Sequence, residues 1–129
     1  MVRLLLDTHA LLWFMAGDNR LSAAARDAIA EPTNDVFVSA ASAWEISTKH
    51  RIGKLPDAGP LANDLLTELG RKGFTPLDIT VDHGQDAGNL PGPHRDPFDR
   101  ILIAQARAER LALVSNESLF DAYGVVRLW

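Results

Sequence analysis

Three features of this 129-residue chain predict an open parallel α/β sheet of about five strands with helices on both faces, in a single domain spanning 1–129. Short apolar runs at 2–6, 36–38 and 111–114 lack in–out alternation, which is the pattern of strands buried on both faces of a parallel sheet. Segments with helical spacing separate them, so strand and helix alternate along the chain. No internal repeat, low-complexity stretch or linker breaks that alternation.

The elements follow in order. Leu4-Leu5-Leu6 stops at Asp7-Thr8, and 9–15 then reads as a helix broken at Ala16-Gly17. Ser22 caps a helix that runs to Ala30 and is stopped by Pro32. A second strand occupies 35–39. Ser39 or Ser42 caps the next helix, which carries Trp44, Glu45 and Ile46 to about Ile52-Gly53, and Ser42-Ala43-Trp44-Glu45 has the spacing of a capping box. A loop at 56–59 and an amphipathic helix over 61–71 lead to a third strand at 76–80 and a short helix at 81–89. Pro91-Gly92-Pro93 forces a loop. Asp96 then caps a long helix from Pro97 to about Arg110, with proline at its favoured first position. Strands at 111–114 and 125–128 flank a turn or short helix at 118–122.

Composition narrows the function classes. Hydrophobic residues make up 47% and charged ones 23%, ordinary for a globular protein. With no cysteine, disulfides and thiolate metal sites are excluded, and a cytoplasmic location is expected. No apolar run nears the ~20 residues that span a bilayer, and the first residues do not resemble a signal peptide. A net charge of −4 argues against a general polyanion-binding surface, so any nucleic-acid contact is local.

Acidic residues recur at matching places. Asp7 ends strand one, Glu45 lies early in the helix after strand two, Asp99 opens the long helix, and Glu117 follows strand four. Ligand sites in such sheets form outside the carboxyl ends of the strands, so these groups are placed to converge. Leu102, Ile103 and Ala106 share the helix face of Asp99, which puts that carboxylate at the head of an inward stripe, where it needs a partner. Carboxylates about 5 Å apart repel by roughly 3 kcal/mol at an effective dielectric near 20. A cation removes that cost, and all-oxygen ligands select a hard divalent ion, Mg²⁺ or Mn²⁺. Metal-dependent phosphodiester hydrolysis is the chemistry implied.

Each acid also has a plain structural role open to it. Asp7 and Asp96 suit N-caps, Glu45 suits the capping box and an i,i+4 pair with Lys49, and Glu117 is a loop acid. His9 and His94 are expected to pack near solvent, and Trp13, Trp44 and Phe98 in the core. Lys49, His50, Arg51 and Lys54 form a basic run, either a solvated face or a phosphate track. Arg95 and Arg100 are further candidates for phosphate contact.

Taken together, Leu4-Leu5-Leu6-Asp7-Thr8-His9-Ala10-Leu11-Leu12-Trp13, Val38-Ser39-Ala40-Ala41-Ser42-Ala43-Trp44-Glu45-Ile46, His94-Arg95-Asp96-Pro97-Phe98-Asp99-Arg100 and Leu113-Val114-Ser115 to Glu117 resemble a PIN domain of the VapC toxin branch. The resemblance covers essentially the whole chain. It implies a PIN-like five-stranded parallel sheet, a Mg²⁺/Mn²⁺-dependent endoribonuclease, a homodimer and inhibition by a cognate VapB-type antitoxin. By position, Asp7, Glu45 and Asp99 match the family's metal-binding acids and Asp96 is the neighbouring acid. The family usually has Asp where this chain has Glu117, whose longer side chain would reach a second ion through water. Two other classes compete. A receiver-like signalling domain wants an adjacent acidic pair and a late lysine, whereas Asp7 stands alone and no lysine follows Lys72. A dehalogenase-type phosphatase wants a second Asp where His9 stands. A catalytically weak PIN scaffold is the remaining alternative.

Overall fold

A computed structural model describes all 129 residues, Met1 to Trp129. Five parallel strands lie in the order β3-β2-β1-β4-β5: β1 (Arg3–Leu6), β2 (Asp35–Ser39), β3 (Thr75–Leu77), β4 (Ala112–Val114) and β5 (Arg127–Leu128). The register sets Leu4 beside Val36 and Ala112, and Leu6 beside Val38 and Val114. The helices are α1 (Thr8–Ala16), α2 (Ala23–Ala30), α3 (Ala40–Arg51), α4 (Gly59–Asn63), α5 (Leu65–Lys72), α6 (Val81–Asn89) and α7 (Pro97–Glu109), with 3₁₀ turns at Pro56–Ala58 and Ser118–Tyr123.

The unalternating leucines explain the central strand. Leu4, Leu5 and Leu6 are completely buried, and the pleat divides them. Leu4 and Leu6 join Ala10, Leu11, Ile29, Val38 and Ile46 in one core. Leu5 points the other way, to Leu102, Ile103, Ala106, Leu113 and Phe120 in a second. The stripe of α7 therefore packs as its spacing predicts.

The chain order reverses at β1, because β2 and β3 extend the sheet on one side and β4 and β5 on the other. Such a switch point opens a crevice at the carboxyl ends of the strands. Asp7 follows β1 there and Ser115 follows β4, tied by the Asp7 N–H to the Val114 carbonyl at 3.1 Å.

Several boundaries differ from the sequence reading. The helix expected over 61–71 is two, split at Asp64 (φ −152, ψ 72), whose carboxylate accepts the Thr67 N–H and hydroxyl and so starts a new helix. The loop at 56–59 is the 3₁₀ turn running into α4. Ser39, not Ser42, caps α3 by accepting the Ala41 N–H, so the Ser42–Glu45 capping box does not form. The third strand ends at Leu77, and Pro76 is tolerated because β3 is an edge.

Candidate active site

Asp7 is deeply buried. It caps α1, accepting the Ala10 N–H at 2.8 Å, and is only 6% exposed. Burial pushes its carboxyl above the usual range, against the lowering effect of hydrogen bonds from the Ser115 hydroxyl and Ala10 N–H. Ser115 is itself buried, and its Oγ accepts the Glu117 N–H at 2.9 Å.

Glu45, equally buried, faces inward from α3. Its Oε1 accepts the Thr8 hydroxyl and its Oε2 the Lys49 ammonium, both at 2.5 Å. Thr8 Oγ1 also stands 3.1 Å from Ser42 Oγ. One hydroxyl carries one hydrogen, so Thr8 gives its proton to Glu45 and receives one from Ser42. The i,i+4 pair with Lys49 forms as the spacing predicts, but on a buried carboxylate and not a solvated one.

Asp99 opens α7 over buried Leu102, Ile103 and Ala106. Its carboxyl is pushed up to about 7, first by burial and then by the charges of Asp96, Glu45, Asp7 and Glu117. The other four acids singled out in the sequence thus all bear on this one group. The partner that the apolar stripe demands is His94, with Nε2 3.1 Å from Asp99 Oδ2. The two atoms are close but not aligned, and the buried Nε2 makes no hydrogen bond.

His94 is therefore not the near-solvent residue expected, since only a tenth of its side chain is exposed. Its ring packs near Phe120 and Tyr123, and its N–H donates to the Tyr123 hydroxyl at 3.1 Å. The preceding turn depends on Gly92 (φ +103), where a Cβ would lie 2.7 Å from that hydroxyl.

Asp96 and Glu117 are engaged locally. Asp96 Oδ1 accepts the Phe98 and Asp99 N–H groups as the α7 cap. Glu117 is exposed and caps the 3₁₀ turn through the Leu119 N–H at 3.3 Å. No three histidine, aspartate or glutamate side chains lie close enough to hold an ion as they stand. A cleft of about 790 Å³ lies elsewhere, among Trp13, Arg20, Leu55, Pro60 and Lys72.

Three further expectations are corrected. Trp44 is not core but 62% exposed. Arg100 is not free for RNA, because its guanidinium donates to the carbonyls of Ala87, Leu90 and His94. Within the basic run, Lys49 serves Glu45 and His50 Nδ1 meets the Leu55 carbonyl at 2.8 Å, leaving Arg51 and Lys54 exposed. Thr8, Ser42 and Ser115 were missed. Their only sequence signal is a small hydroxyl residue beside each acid or strand end.

Residues 4–126 match the model of the PIN domain, and this chain belongs to that family. Membership sets aside the receiver and dehalogenase readings. Among curated proteins it is 40% identical over 62 residues to Ribonuclease VapC16 of Mycobacterium tuberculosis, a match covering 48% of this chain and 43% of that protein, less than half the length of either. Its fold resembles VapBC2 from Rickettsia felis bound to a promoter DNA fragment, at 17% identity and TM-score 0.70 over 99% of this chain and 98% of that one. It also resembles Mycobacterium tuberculosis VapC20, a toxin that cleaves the sarcin–ricin loop, at 18% and 0.69 over 95% and 96%. A toxin–antitoxin complex from Klebsiella pneumoniae aligns at 19% and 0.68 over 98% and 96%. No helix is long and apolar enough to cross a membrane.

Proposed function

We propose that this PIN domain is a divalent-metal-dependent endoribonuclease, the toxin of a VapBC-type pair. It acts as a homodimer in the cytoplasm and is inhibited by a cognate VapB-type antitoxin. The observation that carries the activity is Asp99, a carboxyl lifted to about 7 by burial and by four neighbouring acids. The name Ribonuclease VapC16 of one relative supports the substrate class, and the VapBC2 and toxin–antitoxin complexes among the solved structures support the partner.

The donor set suits a hard cation. The acids offer carboxylate oxygens, which favour Mg²⁺ or Mn²⁺. Asp7 and Asp99 would hold the ion, with Glu45 as a further ligand or as the group that orients water. When bound, the ion supplies positive charge to a phosphodiester as negative charge develops on it, and makes water more acidic. The protein's own part is to hold these groups ready. Ser115 and the Ala10 N–H fix Asp7, Thr8 and Lys49 fix Glu45, and the His94 imidazole packs against Asp99. Asp96 keeps the first turn of α7 in place, and Glu117 adds negative charge at the rim.

Purified protein should cut total RNA with Mg²⁺ or Mn²⁺ and stop on addition of EDTA. Cleavage that persists in excess EDTA would end the metal-dependent reading. Binding should also show without RNA. At pH 8, where Asp99 is ionised, Mn²⁺ should raise the melting temperature by several degrees, because binding stabilises the folded state by mass action. At pH 5.5 Asp99 holds a proton that competes with the ion, so the rise should shrink. An equal rise at both pH values would remove Asp99 from the ion's ligands.

A further inference from the structure

We propose that Trp44, braced by Phe98, is a stacking platform for one base of a single-stranded RNA lying across the acidic group. Of the three tryptophans, Trp13 packs within 5.8 Å of Trp129 and has the Arg20 guanidinium over its ring at 5.0 Å. Trp44 instead leaves 62% of its surface in solvent, with its indole face open to a flat partner. Its only aromatic neighbour is Phe98, which meets it edge to face with centroids 4.9 Å apart and planes at 77°.

The pair is built into the same two helix starts that carry the acids. Trp44 immediately precedes Glu45 on α3, and Phe98 immediately precedes Asp99 on α7. The Phe98 N–H is fixed by Asp96 Oδ1 at 2.9 Å, and α3 and α7 pack against each other. The rings therefore hold a set distance from the carboxylates.

Electrostatics explains why such a platform is needed. Away from the bound ion, a chain of net charge −4, with five acids at its site, repels the other phosphates of the strand. Stacking is available to every base and owes nothing to net charge, so it secures the strand where Coulomb attraction does not. Bases of a duplex are already stacked on one another, which confines the platform to unpaired RNA.

The role rests on the nuclease reading above, and the test separates the two. Asp7→Asn serves as a non-cleaving background, since Asn also caps a helix. A 12-nucleotide single-stranded RNA should quench tryptophan fluorescence in that background. Adding Trp44→Ala should remove most of the quench and weaken binding roughly five- to hundred-fold, at low and high salt alike. Trp44→Phe should recover most of the affinity, and a fully paired RNA of equal length should bind alike in all variants. With Asp7 restored, Trp44→Ala should raise KM for the single strand by the same factor. Wild-type protein that cuts no RNA would overturn the nuclease reading. Cleavage with unchanged KM and affinity in Trp44→Ala would overturn the platform alone. A change in oligomeric state with RNA affinity unchanged would likewise overturn it, and would give the ring to a protein interface.

Discussion

Asp99→Asn should abolish RNA cleavage and, in the same preparation, make the metal-free protein more stable at pH 8. The activity loss is expected to be at least about 100-fold, beyond what is lost when groups merely supporting a metal ligand are removed. The stability gain follows from linkage. The Asp99 carboxyl sits at about 7 in the folded protein, against an ordinary value of 3.8. Between those values the unfolded chain has lost the proton while the folded one keeps it, so stability falls as pH rises from about 4 to 7. Above 7 the full penalty is present. A quarter of the side chain still touches solvent, which limits the relief on removing the charge to about 1–2 kcal/mol. Melting curves at pH 8 should shift upward by a few degrees, and those at pH 4 hardly at all. An acid that served only to support the fold would give the opposite sign. A lower melting temperature at pH 8, or activity within tenfold of the parent, would sink the assignment.

That opposition of sign is what separates a site from a scaffold here. Asp96 makes the comparison direct, because it stands three residues away with its Oδ1 shared by two helix-start N–H groups. Loss of such a cap costs stability at any pH where the carboxylate is ionised. Two acids on one turn thus carry different physical burdens, one stabilising the helix and the other straining against its surroundings.

The placing of Asp7, Glu45 and Asp99 near the strand ends is legible in the sequence because topology, not contact, locates them. A parallel sheet must present its strand ends at one edge, and the apolar stripe beneath Asp99 shows which way that carboxylate points. What stayed hidden depended on short-range geometry. His94 looked like a loop histidine, because its burial comes from Phe120 and Tyr123, more than 25 residues away. Trp44 has the composition of a core residue and the position of a surface one, and only the rotation of α3 decides between them. Asp64 split a helix that hydrophobic spacing alone would have continued, since spacing takes no account of side chains that compete for backbone donors. Arg100 reads as a free cation in the sequence, because the carbonyls that occupy it, at the end of α6 and in the following loop, carry no side-chain signal.

That last residue carries the other large effect. Arg100→Met is expected to destabilise the fold by about 2–4 kcal/mol, since hydrogen bonds from charged donors contribute more than neutral ones and three acceptors lose theirs together. Nε donates to the Ala87 carbonyl at 3.0 Å, one terminal nitrogen to the His94 carbonyl at 2.8 Å and the other to the Leu90 carbonyl. Ala87 and Leu90 lie at the carboxyl end of α6, where carbonyls lack helical partners and a cation is favoured. Arg100 therefore joins the end of one helix, the loop through Gly92 and the start of α7 in a single clamp. Arg100→Lys should recover only part of the loss, because an ammonium cannot present the guanidinium's planar fork. The clamp also governs chemistry at a distance. Releasing the His94 carbonyl frees the segment that sets the imidazole against Asp99, so RNA cleavage should fall further in Arg100→Met than the folded fraction accounts for. Urea denaturation gives the first quantity, and activity measured well below the unfolding midpoint gives the second. Stability within about 0.5 kcal/mol of the parent, the range of ordinary surface changes, would show that water replaces the guanidinium and that the loop holds its place without it.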